Sequence, residues 1–417
     1  MTSPASAIPV TYCTNIHPGE SWAQTRRALS THTLAVKAAV CPDRPFPVGL
    51  RVSGLASREI DPDEAARFKD WLTESGLYVA TVNGFPFGAF HGRPVKSGVY
   101  LPDWREPARL EYTLRLARLL AVWLPERPGE MVGSISTVPV GFRADFDPSQ
   151  ERLAQANLRT ALEGLEDLAQ RTGRRIQLSV EPEPGCLVET TLQLVELFDR
   201  LNLPDSLRPY LAVCYDCCHQ ALQFENPACS LKLLTDNGIN IGHVQVSSAL
   251  HLPGPDLSRL ARFDEPVYLH QSVARLSDGG LARFDDLGQA LAACAAASRT
   301  GQFTPNDIST CPAPEPATQQ SQGCLEPCGR PGPGGRNDVS CWRVHFHLPV
   351  FLAELPECLS TQEFLREFLP LLPGRVPLEV ETYTFEVLPQ ELKSSSVEES
   401  IVREIEWVEA CRRGNLG

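Results

Sequence analysis

From Val10 to Ser248 short apolar runs alternate with longer amphipathic stretches, and no other feature of the chain restricts its fold as much. The runs are VTYCTNIHPGES (10–21, apolar up to Asn15), VGLRVSG (48–54), LYVATVNGFPFG (77–88), GSISTVPVGF (133–142), IQLSVEPEPG (176–185), LAVCYD (211–216) and INIGHVQVSS (239–248). Helix-like segments lie between them at 24–39, 61–76, 107–124, 147–173, 189–201 and 227–237. Asp61 and Pro62 occupy helix-start positions, and Gly76 and Gly173 stop positions. Spacing predicts inward stripes of Leu110, Leu114, Ala117 and Ala121 on one helix, and of Leu153, Ala156, Ala161, Leu165 and Leu168 on the next long one. Strands joined through such helices pair in parallel by right-handed crossovers, which leaves a doubly wound sheet or a barrel. No phosphate-cradling G-x-G-x-x-G or G-x-x-x-x-G-K-[ST] follows a strand, and polar residues gather at strand carboxyl ends, so the prediction is an α/β fold, a (β/α)8 TIM barrel.

The rhythm breaks after residue 250. A hairpin is predicted at 267–284 around Asp278-Gly279-Gly280, as an excursion over the barrel mouth, followed by a short helix at 286–297. The stretch 300–340 is rich in Pro, Gly, Ser and Gln and reads as a disordered or loosely held insertion. Order returns at CWRVHFHLPVF (341–351), with a helix at 361–369, a strand in PLEVETYTFEVLP (377–389), and a last helix at 396–413 whose Ser396 and Glu399 fit a capping box. The expected organisation is one barrel domain over 8–395, interrupted by the insertion, and a C-terminal helix over 396–414. There is one more strand-like run than a barrel needs, so one of them, with 48–54 and 343–348 the first candidates, lies outside the ring or is not a strand.

Thirty-eight basic against 51 acidic residues give a net charge of −13 with no basic cluster, which argues against nucleic acid as a partner. The first residues have no basic segment followed by an apolar run, and no stretch approaches the ~18 apolar residues of a membrane span. A cytoplasmic protein with no direct membrane insertion is expected. The 14 cysteines, scattered through a large chain, read as reduced core thiols. Cys311, Cys324, Cys328 and Cys341 flank the insertion, but their spacing matches no usual zinc knuckle, and unpaired thiols are the plainer reading.

Two runs end in acids. In a barrel of parallel strands Glu181 and the Asp216-x-x-His219 pair meet at one face, as half of a metal site. Asp216 and His219 taken alone also fit a loop-capping acid beside a surface histidine, and Glu181 fits either a structural ion pair or a metal, since unpaired burial is costly. His243 and Gln245 share one strand face, where core hydrogen bonding is the competing role. His345 and His347 repeat that spacing with imidazoles, the commonest neutral ligands of zinc-like ions. Glu381 is nearer its strand end than Glu379, so it is the second carboxylate and Glu379 the fallback. Asn15, His17, Asn83, His243 and His270 are candidate substrate contacts.

The order Glu181, Asp216-x-x-His219, His243-x-Gln245 and Glu381 resembles the strand-end pattern of the xylose isomerase-like TIM barrels, the sugar isomerase and epimerase superfamily. More narrowly, YCTNIHPGESW, SVEPEPG, CYDCCH, HVQVS, YLHQ, HFHLP and LEVETYTF together resemble the EboE family of metabolite-traffic proteins. The resemblance covers nearly the whole chain outside its first residues and the insertion. It implies a divalent ion (zinc, manganese or magnesium) held by Glu181, Asp216 and Glu381. Gln245 stands where the epimerases offer a histidine, so His345 or His347 substitutes or metal binding is altered. It further implies a small polyol or keto substrate, proton transfer by Glu181 or Glu381, and orientation by His219. The EboE likeness itself suggests an alternative, a non-catalytic protein that handles a secondary-metabolite precursor. A metal-dependent hydrolase or phosphodiesterase is a further alternative, disfavoured by the acidic charge and by few strand-end histidines for a multi-zinc cluster.

Overall fold

The computed structural model describes residues 8–125, 131–300 and 338–414. The strand-like runs of the first part become β1 (Thr11–Tyr12), β2 (Phe46–Arg51), β3 (Leu77–Asn83), β4 (Gly133–Thr137), β5 (Ile176–Val180), β6 (Leu211–Asp216) and β7 (Ile241–Val246). The chain then leaves the ring for β8 (Ser248–Pro253), β9 (Ser272–Leu276), β10 (Leu281–Phe284), β11 (Val339–Leu348) and β12 (Leu359–Ser360), an antiparallel sheet in the order β10-β9-β11-β8-β12. It returns as β13 (Leu378–Val380), which lies between β7 and β1 in the eight-stranded parallel sheet. A parallel bridge between Cys13 and Gly49 rejoins β1 to β2 and closes the ring.

Of the two runs that competed for a place, 48–54 supplies β2 and 343–348 belongs to β11, outside the barrel. The hairpin forms as expected, with Gly279 at φ +90° in its turn, but it is one edge of the larger added sheet rather than a free excursion. That sheet has its own apolar core around Leu252, Phe263, Trp342 and Phe346. The helices lie where the periodicity puts them, although two inward stripes differ in part. On Pro107–Trp123 the buried face is Tyr112, Leu116, Leu119, Leu120 and Trp123, while Leu110 and Ala121 are only partly buried. On Glu151–Thr172 it is Ala154, Leu158, Ala161, Leu162, Leu165 and Leu168, and Leu153 is 48% exposed. On this helix Ala161, Leu165 and Leu168 face inward as expected, and only Leu153 and Ala156, near its start, point out.

Ser396 accepts from the Glu399 N–H, but the Glu399 carboxylate returns to the Ser395 N–H, so the capping box is only half formed. Most of the insertion, with Cys311, Cys324 and Cys328, lies outside the described residues. Cys13, Cys186, Cys214, Cys217 and Cys218 are buried free thiols. Among the described residues no helix is long and apolar enough to cross a membrane.

Candidate metal centre at the barrel mouth

The barrel interior is built in layers by every second residue of each strand. The deeper layer contains Ser134, Ser179, Cys214 and His243. The Ser134 hydroxyl lies 2.6 Å from both Ser179 Oγ and His243 Nδ1, and Cys214 Sγ is 3.3 Å from His243 Nε2. Burial pushes the His243 imidazole down to about 3, so it stays neutral. His243 is therefore a satisfied core histidine one layer below the mouth, and it does not line the cavity above.

Two residues further along β5 and β6 stand Glu181 and Asp216, and one residue past β13 stands Glu381. One carboxylate oxygen from each lies within 4.8 Å of the others, and all three groups are buried. Asp216 caps the short helix Cys217–Leu222. Its Oδ1 accepts from the His219 N–H at 3.0 Å and from Ser247 Oγ at 2.7 Å, whereas Oδ2 has no hydrogen-bond partner. The capping role thus falls to Oδ1, and Oδ2 is left over, buried and without a partner. Glu381 Oε1 accepts from Asn15 Nδ2 at 2.8 Å and from Asn83 Nδ2 at 3.0 Å, so these two amides hold the carboxylate. Glu181 Oε2 is buried without a partner. Among the described residues, the basic groups that face these acids are imidazoles: His347 Nδ1 lies 3.6 Å from Glu381 Oε2, and His347 Nε2 and His219 Nε2 lie 4.0 and 3.8 Å from Asp216 Oδ2.

Burial, then the charge of Asp216, pushes the Glu181 carboxyl well above the ordinary range, and burial and Glu181 do the same to Glu381. Burial also acts to raise Asp216, but His219, His347, the Ser247 hydroxyl and the His219 N–H outweigh it and hold it below its usual value. Three carboxylates this close cannot all ionise unless a cation joins them. The orphaned Glu181 and Asp216 oxygens are what such an ion would take, so the residues fit a divalent metal.

Gln245 is in register with Asp216 on one side and Glu379 on the other. Its amide oxygen and nitrogen are buried with no hydrogen-bond partner of full geometry, and the amide lies against the Glu379 carboxylate. Glu379 points inward at the level below Glu381, against Gly49, where an added Cβ would lie 2.4 Å from Glu379 Oε2. Burial raises its carboxyl to about 7.

Above the acids opens a cavity. Asn15, Asn83, Glu181, His219, His345, His347 and Glu381 line it, as expected of strand-end groups. His17 and His270 do not. His17 stacks on His32 at 4.3 Å and meets Tyr12 OH at 3.1 Å, because β1 ends early and a 3₁₀ turn at Thr14–Ile16 carries it aside. His270 is occupied at both ring nitrogens, by His345 O at 2.8 Å and Glu265 Oε1 at 2.9 Å, and braces β11.

Several lining residues escaped the sequence reading. Glu183 accepts from Tyr100 OH at 2.7 Å, and Gln271 Nε2 donates to Tyr100 OH at 2.7 Å. The EPEPG motif did carry the signal for Glu183, which follows Glu181 by two residues and so shares its face. Phe90, Tyr268 and Tyr383 form a three-ring cluster with centroids 5.0–5.4 Å apart over the mouth. The loop after β3 is tied to the added sheet's connection by Val95 N to Val267 O at 2.8 Å and by Lys96 Nζ to Asp286 Oδ2 at 2.7 Å.

A family model described as xylose isomerase-like TIM barrel matches residues 45–292. No curated protein matches the chain. A xylose isomerase-like TIM barrel protein from Mycobacterium smegmatis, solved in complex with magnesium, is 10% identical with 98% of each chain covered and a TM-score of 0.50. An AP endonuclease, family 2, from Brucella melitensis is 20% identical over 59% of this chain and 80% of its own, with a TM-score of 0.36. The IOLI protein with a bound zinc atom is 14% identical over 58% and 73%, with a TM-score of 0.37. At these identities the likeness is one of fold. The family match spans more than half of the sequence and agrees with the closed ring of eight parallel strands, and the chain belongs to the xylose isomerase-like TIM barrel family.

Proposed function

We propose that the protein is a divalent-metal-dependent enzyme that moves a proton on a small polyol- or keto-type molecule, as isomerases and epimerases do. The observation that carries this reading is the trio Glu181, Asp216 and Glu381, buried together, with two orphaned oxygens and no lysine or arginine among their ion-pair partners. These three carboxylates and the Gln245 amide oxygen would hold the ion. A set of oxygen donors favours magnesium- or manganese-class ions. The magnesium in the Mycobacterium smegmatis barrel is consistent with this choice.

When bound, the ion supplies Lewis-acid polarisation of a substrate oxygen. The chain's own residues supply the remainder. Glu381, fixed by Asn15 and Asn83, is the positioned carboxylate, and Glu181, which no such amide pair holds, is the acid or base that takes and returns a proton at the substrate carbon. His219 is held by its Nδ1–H, which donates to Pro182 O at 2.9 Å, so its Nε2 faces the cavity as an acceptor for a substrate hydroxyl. The Phe90, Tyr268 and Tyr383 rings and the Val95–Val267 clasp exclude water.

The test is magnesium and manganese binding by calorimetry on stripped protein. Glu181→Ala and Asp216→Ala are expected to lower affinity at least ~10-fold, the scale on which supporting ligand contacts act. Unchanged affinity in both variants would sink the reading.

A second reading, favoured by the roofed mouth, is that the same centre holds a secondary-metabolite precursor without converting it, as the EboE resemblance suggests. Metal-dependent ligand binding with no solvent deuterium entering a bound polyol or keto compound would select it.

A further inference from the structure

His345 and His347 leave the cavity's carboxylate trio unexplained in one respect: their Nε2 atoms are only 3.0 Å apart. The tautomers of both rings are fixed by groups that cannot donate. His347 Nδ1 lies 2.8 Å from Glu381 O, a carbonyl, so Nδ1 carries the hydrogen and Nε2 the lone pair. His345 Nδ1 lies 2.5 Å from Gln271 Oε1. The Gln271 amide is oriented by its Nε2, which donates to Pro184 O at 2.9 Å, so its oxygen faces His345 and again Nδ1 carries the hydrogen. Two lone pairs therefore point at each other; Tyr383 OH, 3.4 Å from His345 Nε2, can donate to that ring but not to His347 Nε2 as well. A cation between the two nitrogens would relieve this contact. Two metal–nitrogen bonds of ~2.0–2.1 Å place their nitrogens roughly 2.9–3.4 Å apart at bond angles of about 90–109°. The Nδ1–H to carbonyl or amide oxygen bond on each ring is also the usual support of a metal-bound histidine. A third donor stands by. One donor atom from each of Cys218, His345 and His347 lies within 4.8 Å of the others, and all three residues are buried.

We infer that His345, His347 and the Cys218 sulfur form a second cation site, selective for a zinc-class ion, next to the carboxylate site. The inference rests on the metal-binding reading above and extends it to two ions of different chemistry. Thiolate and imidazole select softer ions than an all-oxygen set does. Cys218 gives up its proton to solvent on binding, so occupancy releases one proton per ion. Asp216 joins the two sites, since it also forms a donor trio with His219 and His347.

The full chain, stripped and reloaded with zinc plus magnesium or manganese, is expected to retain two equivalents of metal by elemental analysis. Loaded with cobalt(II), it should show a near-ultraviolet thiolate-to-cobalt charge-transfer band. Cys218→Ser abolishes that band, and His345→Asn lowers zinc affinity at least ~10-fold while magnesium or manganese binding is kept. Glu381→Gln does the reverse, weakening the magnesium or manganese equivalent and keeping the band. A single equivalent in the unaltered chain overturns the second site, as does the absence of the band there, a measurement that needs no variant. If Glu181→Ala and Asp216→Ala leave magnesium or manganese binding intact while the band is present, the proposed function fails and the second site stands.

Discussion

Glu381 has one oxygen held by two amides, Asn15 just past the neighbouring β1 and Asn83 at the end of β3. Neither amide is a ligand, yet both orient one, and removal of such supports costs metal affinity. Asn83→Ala is therefore expected to weaken magnesium or manganese binding ~10–100-fold by calorimetry, with little change in melting temperature of the stripped protein. Gly49 gives the opposite result, a stability effect without a role in chemistry. A methyl there would meet Glu379 Oε2 at 2.4 Å and Tyr12 O at 2.7 Å, and the backbone oxygen cannot swing away. Gly49→Ala is expected to destabilise by ~1–3 kcal/mol in chemical denaturation, as overpacking does. Individual residues were partly legible from sequence. Glu181, Asp216 and Glu381 stood at the ends of apolar runs, where depth follows from strand register. His17, His243 and His270 misled because alternation says which face a residue takes but not how deep it sits, nor where a strand gives way to a 3₁₀ turn.

At the level of elements, the last helix, Val397–Arg412, carries a fully buried acid, Glu404. Its carboxylate accepts from Val350 N at 3.1 Å, Thr382 Oγ1 at 2.6 Å and Ser400 Oγ at 3.3 Å, yet burial dominates and raises it to about 7. The folded pKa lies above the unfolded one, so the native state binds this proton more tightly. The associated stability is full below about pH 4.5 and is lost as pH rises through about 7, a contribution on the order of 3 kcal/mol. Urea denaturation of metal-free protein should show Glu404→Gln flattening part of the decline between pH 5 and 8; an unchanged slope would contradict the assignment. Elements were the most legible scale, because helices and parallel strands carry their periods in sequence. The weak points were β1, two residues long, and β13, three, whose identity is set by the ring they complete rather than by their own pattern.

For the whole molecule, ligand binding and folding are linked, since ions that bind only the native state stabilise it. Metal at 100 times its dissociation constant should add about 2.7 kcal/mol, and the gain should shrink on acidification, as Glu181 and Glu381 take up protons in place of the ion. Differential scanning calorimetry with and without metal at two pH values checks both. The barrel as a whole was legible. The added sheet was not, because β8 and β11 pair across a sequence gap that no local pattern bridges.

The ring closes where β13 settles between β7 and β1, so the chain's early and late segments share one seam. Asn15 and Glu381, 366 positions apart, meet there across a single hydrogen bond. The proposed metal centre is thus complete only once the last strand has closed the ring. A nascent or clipped chain that stops short of Leu378 has an open stave and lacks one of the three acids, however well its first seven strands have folded. Retention of metal then reports that the whole ring has been made, and a ribosome-bound chain arrested before that point should leave the ion in solution.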